Sequence, residues 1–153
     1  MTQEQARTLA GSIANRRNIV VVGSTGSGKT TLANALIAEI AAVHPAHRLV
    51  IIEDTPEIQC ASANCLIMQT SEHFDMRRAL AVTMRRRPDR IIVGEVRGGE
   101  ARTLIEAWNT GHAGGIATVH ANDARAGLRR LEMLCAIGGA PGMAEAIGHA
   151  VNL

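Results

Sequence analysis

Aromatic side chains are nearly absent from this chain: it has one Trp, one Phe and no Tyr. Readers of single-stranded nucleic acid stack bases on aromatic rings, so this shortage argues against that class, and no direct nucleic-acid contact is expected. Charge of one sign is also lacking. The formal net charge is +2, whereas binding to duplex DNA draws on a concentrated basic stripe. The three cysteines, Cys60, Cys65 and Cys135, are odd in number and form no C-x-x-C pair. Neither a disulfide framework nor a zinc site is indicated, and all three read as reduced, mostly buried small hydrophobes. No apolar run approaches the roughly 20 residues that span a bilayer, and residues 1–18 lack a signal peptide's apolar core. A cytoplasmic protein without a transmembrane segment is expected.

What remains is ordinary globular composition, with 46% apolar and 20% charged residues over 153 positions. That length suits a single domain able to bury its own core.

The hydrophobic pattern alternates between two periods. Leu9 and Ile13 fit a short amphipathic helix, and Ile19 to Val22 form a β-branched run of the kind buried on both sheet faces. From Lys29 onward Leu32, Leu36, Ile40 and Val43 recur at helical spacing until Pro45. Leu49 to Ile52, Ile91 to Val93 and Ile116 to Val119 read as further buried strands, with a short edge strand at Leu66 to Met68. Between them lie helices marked by Met76, Leu80 and Met84, closed by Pro88, and by Ala101, Leu104, Ile105 and Trp108, ended by Gly111. Ala124, Leu128, Leu131 and Cys135 mark another, capped by Asn122 or Asp123, and a last one carries Met143 and Ile147. Strands alternating with helices predict an α/β fold, a mostly parallel sheet with helices on both faces. Ligands of such sheets gather beyond the carboxyl ends of the strands. Gly23, Glu53-Asp54, Glu95 and His120 all fall at those ends.

Gly23-Ser24-Thr25-Gly26-Ser27-Gly28-Lys29-Thr30 matches G-x-x-x-x-G-K-[ST] between a predicted strand and a predicted helix, the context that gives this motif its meaning. Glycines let the backbone wrap around phosphate oxygens, and successive amides with the helix N-terminus supply fixed positive polarity. Lys29 is expected to reach the β- and γ-phosphates and Thr30 to ligate Mg²⁺, with Thr31 adjoining them. ATP and Mg²⁺ are the expected ligands.

Turnover needs a polar group that orients water, and Glu95 is the leading candidate. Many P-loop enzymes carry Asp-Glu at this strand end; here the pair is Gly94-Glu95, so the Asp is missing. Glu53 and Asp54 offer carboxylates on another strand end, and Glu57 follows the Thr55-Pro56 turn without the spacing deciding its role. His112 and His120, eight apart, lack the third ligand of a zinc site. His120 reads instead as a polar group near the γ-phosphate. Arg85, Arg86 and Arg87 complement a helix C-terminus, while Arg97 and Arg102 lie nearer the phosphate site in sequence.

The ordered blocks VVVGSTGSGKTT, IIEDTPEIQ, RRRPDRIIVGEVRGGEA and NTGHAGGIATVHAND resemble the traffic ATPases of bacterial type IV secretion and conjugal transfer. The match is to the TrbB-like branch, with type II secretion and pilus motors as cousins. The resemblance covers nearly the whole chain and implies a RecA-like P-loop NTPase fold. It maps the Walker A motif to Gly23 through Thr30, the Asp box to Glu53, Asp54 and Thr55, an atypical Walker B to Gly94-Glu95, and the His box to His112 through His120. It further implies that Glu95, Glu53, Lys29 and His120 act in hydrolysis and that Thr30, Glu53 and Glu95 hold Mg²⁺, partly through water. Such proteins form homo-hexameric rings, cytoplasmic and peripheral at the inner membrane, whose ATP turnover drives transport or pilus assembly. Against the family pattern, residues 1–153 are expected to be the P-loop ATPase domain alone, lacking the separate N-terminal domain and the final strands. The alternative reading is a non-catalytic nucleotide-binding assembly module.

Overall fold

The computed structural model describes all of residues 1–153. In chain order its elements are α1 (Gln3–Ala14), β1 (Ile19–Gly23), α2 (Lys29–Val43), β2 (Leu49–Glu53), β3 (Cys65–Gln69) and α3 (Met76–Thr83). They continue as β4 (Arg90–Val93), α4 (Glu100–Asn109), β5 (Ile116–His120), α5 (Ala124–Ile137) and α6 (Ala144–Ala150). No helix is long and apolar enough to cross a membrane.

The five strands form one parallel sheet in the order β1-β5-β4-β2-β3. Strand alternation sorts their side chains into two cores. Ile19, Val21, Leu49, Ile51, Ile92 and Ile116 pack with Ile13 of α1 and with Ala33, Leu36, Ile37 and Ile40 of α2. Ile52, Ile91, Val93, Ala117 and Val119 pack with α3, α4, α5 and α6. The α/β architecture with both faces covered is therefore the expected one. β2 is buried throughout while β3 is half-exposed at the sheet edge.

Differences from the sequence reading are local. The helix ending at Pro88 stops at Thr83, and Met84–Arg86 form a 3-10 turn. The residue before a proline is barred from the right-handed helical region, and Arg87 takes φ 51° instead. Met143 precedes α6 as its cap residue instead of lying in it. Of the two offered caps for α5 it is Asp123 whose carboxylate accepts from the Ala126 amide, at 2.8 Å. Cys135 is buried, whereas Cys60 and Cys65 are only half-buried and all three are free. Burial, then a hydrogen bond with Cys60, pushes the Cys65 thiol up to about 12, and burial pushes Cys135 up to about 11, so neither offers a thiolate at neutral pH.

The amino ends of the strands are tied by two buried polar side chains that periodicity could not flag. Asn18 accepts from the Gly114 and Gly115 amides at 2.7 and 2.9 Å and donates to the Ala150 carbonyl at 2.7 Å. The Asn18 carbonyl also accepts from the Asn152 amide at 3.1 Å, and Val20 donates to the Leu153 carbonyl at 2.9 Å, so residues 152 and 153 run along the outer edge of β1. Arg90, fully buried, donates to the Ile13 and Gly114 carbonyls, both at 3.0 Å, and to His47 Nδ1 at 3.2 Å. A Cβ at Gly114 would run into that guanidinium. Burial lowers the Arg90 pKa to about 10, a value that still leaves it charged at neutral pH.

Two outcomes are expected. Asn18→Ala leaves two buried amides without an acceptor, and urea unfolding should show a loss of about 2–4 kcal/mol. The pKa of His47 is lowered by burial and then by Arg90, so on acidification the unfolded chain protonates at this position before the folded one. His47 therefore contributes a loss of stability that sets in as pH falls below its unfolded value of about 6.5. Melting temperatures taken between about pH 7.5 and 5.5 should fall less steeply for His47→Gln, which keeps an acceptor for Arg90 without titrating.

Candidate functional site

The loop between β1 and α2 is shaped by its glycines. Gly26 and Gly28 sit at φ 72° and 88°, a region that disfavours side chains. A Cβ on Gly23 would meet Ser27 Oγ, so a side chain there would force that hydroxyl to turn away as the loop closes over the end of β1. No side chain caps α2, which leaves its first-turn amides free for an anion. Lys29 Nζ donates to the Ser24 carbonyl at 2.9 Å, folded onto its own loop.

Around this loop lies a cleft of about 250 Å³ lined by Thr25, Gly26, Lys29, Thr30, Glu53, Asp54, Thr55, Glu57, Ile58, Gly94, Glu95, Arg97, Thr118 and His120. Lys29, Thr30, Glu53, Glu95 and His120, all singled out in sequence, are thus brought together. Sheet order explains the convergence. β5 lies between β1 and β4, with His120 in register with Gly23, so its imidazole stands between the glycine loop and Gly94-Glu95. Residues 49, 51 and 53 alternate onto the face covered by α2, as do 116, 118 and 120. Glu53, Thr118 and His120 therefore meet the start of that helix.

Glu53 is 4% exposed. One carboxylate oxygen accepts from the Glu57 and Ile58 amides at 2.9 and 3.0 Å, which offsets the cost of burying it. Glu57 is thereby turned toward α2, where its own carboxylate accepts from the Thr30 hydroxyl at 2.9 Å. Asn34 of α2 closes the arrangement, donating to the Glu57 carbonyl at 3.2 Å and accepting from the Gln59 amide at 3.0 Å.

Packing is close where the aspartate is missing. A Cβ at Gly94 would sit 3.1 Å from Glu53 Cβ, so a side chain at this position would need its neighbour to shift by a few tenths of an ångström. Thr118 and Ile52 fix this glycine, through Thr118 Oγ1 on its carbonyl at 2.6 Å and its amide on the Ile52 carbonyl at 2.8 Å.

Glu95 is held by Arg97, 2.6 Å away, and Arg97 reaches Asp54 at 3.7 Å. The hydrogen bond to Glu95 raises the Arg97 pKa. Asp54 also accepts from the Thr70 hydroxyl.

Residues 1–147 match the family described as type II/IV secretion system protein. The chain belongs to that family. It is 58% identical over its full length to the conjugal transfer protein TrbB of Rhizobium radiobacter, of which it covers 47%. It is 40% identical over 125 residues to the type IV secretion system protein VirB11 of Bartonella quintana, 78% of this chain and 34% of that protein. The VirB11 ATPase of the Brucella suis type IV secretion system, solved with sulphate, superposes with a TM-score of 0.90 at 31% identity over 97% of this chain and 45% of that one. The pilus retraction motor PilT, solved with ADP, gives 0.70 at 26% identity over 95% and 43%. The chain spans about half the length of the curated relatives it matches. Its fold is that of the P-loop ATPases among these family members.

Some residues fall elsewhere than the motifs imply. The Thr31 side chain is exposed on α2 and, like Gly23, Ser24, Ser27 and Gly28, is not among the residues lining the cleft, so it would contribute through its first-turn amide. His112 lies on the loop entering the opposite end of β5, its amide on the Ala107 carbonyl at 3.2 Å, so the two histidines of one sequence block stand at opposite ends of a strand. Arg102 pairs with Glu106 of its own helix at 2.8 Å. Conversely, Glu57 and Arg97 belong to the cleft although spacing left the first undecided and gave the second no geometry. Asn34 had no signal beyond its place one turn after Thr30.

Glu53→Ala would leave the buried Ile58 amide and the part-buried Glu57 amide without their acceptor. An unfolding loss of about 2–3 kcal/mol is expected, while Glu53→Gln, which keeps an acceptor oxygen, should lose less in the same urea titration.

Proposed function

We propose that this chain binds ATP with Mg²⁺ and hydrolyses it, serving as the P-loop motor of a conjugal transfer or type IV secretion apparatus. What carries the reading is the convergence in one cleft of a lysine, a hydroxyl, buried and exposed carboxylates and an imidazole. The family membership and the ATPases among its structural neighbours support it.

The triphosphate lies along the Gly23–Thr30 loop, its oxygens met by loop and first-turn amides. Lys29 exchanges the Ser24 carbonyl for β- and γ-phosphate oxygens, where its charge counters the negative charge that builds up during transfer. The hydroxyl of Thr30 and the carboxylate of Glu57 are hard oxygen donors 2.9 Å apart, a pair that fits magnesium's preference for one or two protein groups beside phosphate oxygens. When bound, that ion supplies charge neutralisation at the phosphates. Glu57 thus occupies the functional place of the aspartate that Gly94 replaces, and Glu53 holds it there from beneath. Glu95 orients the attacking water and accepts its proton. His120, between Gly23 and Glu95, senses the γ-phosphate at the head of the segment leading into α5.

Assembly into a homo-oligomeric ring, and work in the cytoplasm against the inner membrane, are part of the same reading. They rest on the resemblance to the secretion ATPases.

Phosphate release with Mg-ATP tests it. Lys29→Ala and Glu95→Gln should each lower turnover by about 100-fold or more, and a wild-type protein no faster than Lys29→Ala would end the motor reading in favour of a non-catalytic module. The lining has a single apolar member, Ile58, and offers no surface for a base. Competition binding by this chain should therefore separate ATP from GTP by no more than about 3-fold, because phosphate contacts carry no base information.

A further inference from the structure

Arg97 stands where three cavities meet. It lines the phosphate cleft, the groove running toward Asn122, Arg129 and Arg130, and the depression toward Ser71 and Glu100. Its backbone is fixed while its side chain is not. Val96, buried at 2% exposure, donates to the Thr118 carbonyl at 2.9 Å. The Arg97 and Gly98 amides both donate to Glu100 Oε1 at 2.7 Å. The guanidinium extends from this anchored turn with its side chain 62% exposed. Its partners are two carboxylates from different strand ends, Glu95 at 2.6 Å and Asp54 at 3.7 Å.

With Arg97 bound to it, Glu95 has one of its two carboxylate oxygens, Oε2, taken up by a charge-assisted bond that competes with water for this carboxylate. Arriving triphosphate changes the competition. A terminal phosphate brings more negative charge than a carboxylate and presents oxygens that a planar guanidinium engages in bidentate fashion. A diphosphate brings no such group to this end of the cleft.

We propose that Arg97 is a γ-phosphate contact within its own chain that trades Glu95 for the terminal phosphate, so that both carboxylate oxygens of Glu95 are released to water when a triphosphate is bound. This rests on the nucleotide reading of the cleft and adds to it a residue, a partner exchange and a reason for discrimination between triphosphate and diphosphate. Arg97, not Arg102, takes the part because Arg102 does not line the cleft and pairs along α4 with Glu106.

Equilibrium binding of fluorescent ADP and of a fluorescent β,γ-imido ATP analogue tests it, using wild type, Arg97→Gln, Glu95→Gln, the double variant and Lys29→Ala. Arg97→Gln should weaken the triphosphate analogue by about 10- to 100-fold, the worth of a charge-assisted hydrogen bond, and leave ADP within about 2-fold. Glu95→Gln should tighten the analogue by releasing Arg97, and that tightening should vanish in the double variant, a coupling that a merely structural ion pair would not produce. Arg97→Lys, which keeps charge without the planar fork, should recover part of the discrimination. Equal effects on both nucleotides, no effect on either, or Glu95→Gln tightening independent of residue 97 would overturn the exchange while leaving nucleotide binding intact. A wild-type protein that binds neither nucleotide better than Lys29→Ala does would overturn both.

Discussion

One buried carboxylate organises the cleft. Glu53 ends a strand that is covered on both faces, and a charge there is tolerable only because two backbone amides, those of Glu57 and Ile58, point at it. That contact bends the chain after β2 back onto α2, where Asn34 and Thr30 receive it. The Glu53 Cβ is also the nearest neighbour that a side chain at position 94, on the adjacent strand end, would meet. The same residue thus bears on the space at Gly94, the position of Glu57 and the setting of the Thr30 hydroxyl.

The two ends of the sheet divide their work. At the carboxyl ends, buried Glu53 apart, charged groups face a cleft and are held by single contacts to one another or to the loop, as with Arg97 on Glu95 and Lys29 on Ser24. Such contacts are readily exchanged for a ligand. At the amino ends Asn18 and Arg90 are buried and bonded to backbone from several segments, including the end of α6 and the end of α1. Losing those contacts would leave buried groups without partners, which makes that end the rigid base on which the exchangeable end is built. The cationic and anionic groups of the cleft also limit each other: four acidic side chains line it beside Lys29, Arg97 and His120. On the proposed reading, a triphosphate would enter a site whose internal pairs must open before its own can form.

Much of this was legible in the chain itself. Gly23 through Thr30 specify a phosphate loop by their spacing, because glycines at fixed offsets are needed for φ values that other residues resist. β-branched runs ending in Gly23, Glu53, Gly94-Glu95 and His120 place chemistry at strand ends without reference to any contact. The four ordered blocks likewise pointed to the secretion ATPases, the family in which the chain belongs.

Tertiary structure alone decided which of these groups meet. The insertion of β5 between β1 and β4 sets His120 between the loop and Glu95, and no local pattern encodes strand order. Glu57 looked like any exposed glutamate after a Thr-Pro turn until the loop folded under Glu53. His112, in the same sequence block as His120, was carried to the far end of a strand. Arg97 acquired its partners by the approach of two strand ends. Periodicity and turn chemistry act over a few residues, so they fix the elements and their ends. Hydrogen bonds between side chains far apart in sequence depend on how those elements pack, and the specific geometry of this cleft is made of such bonds.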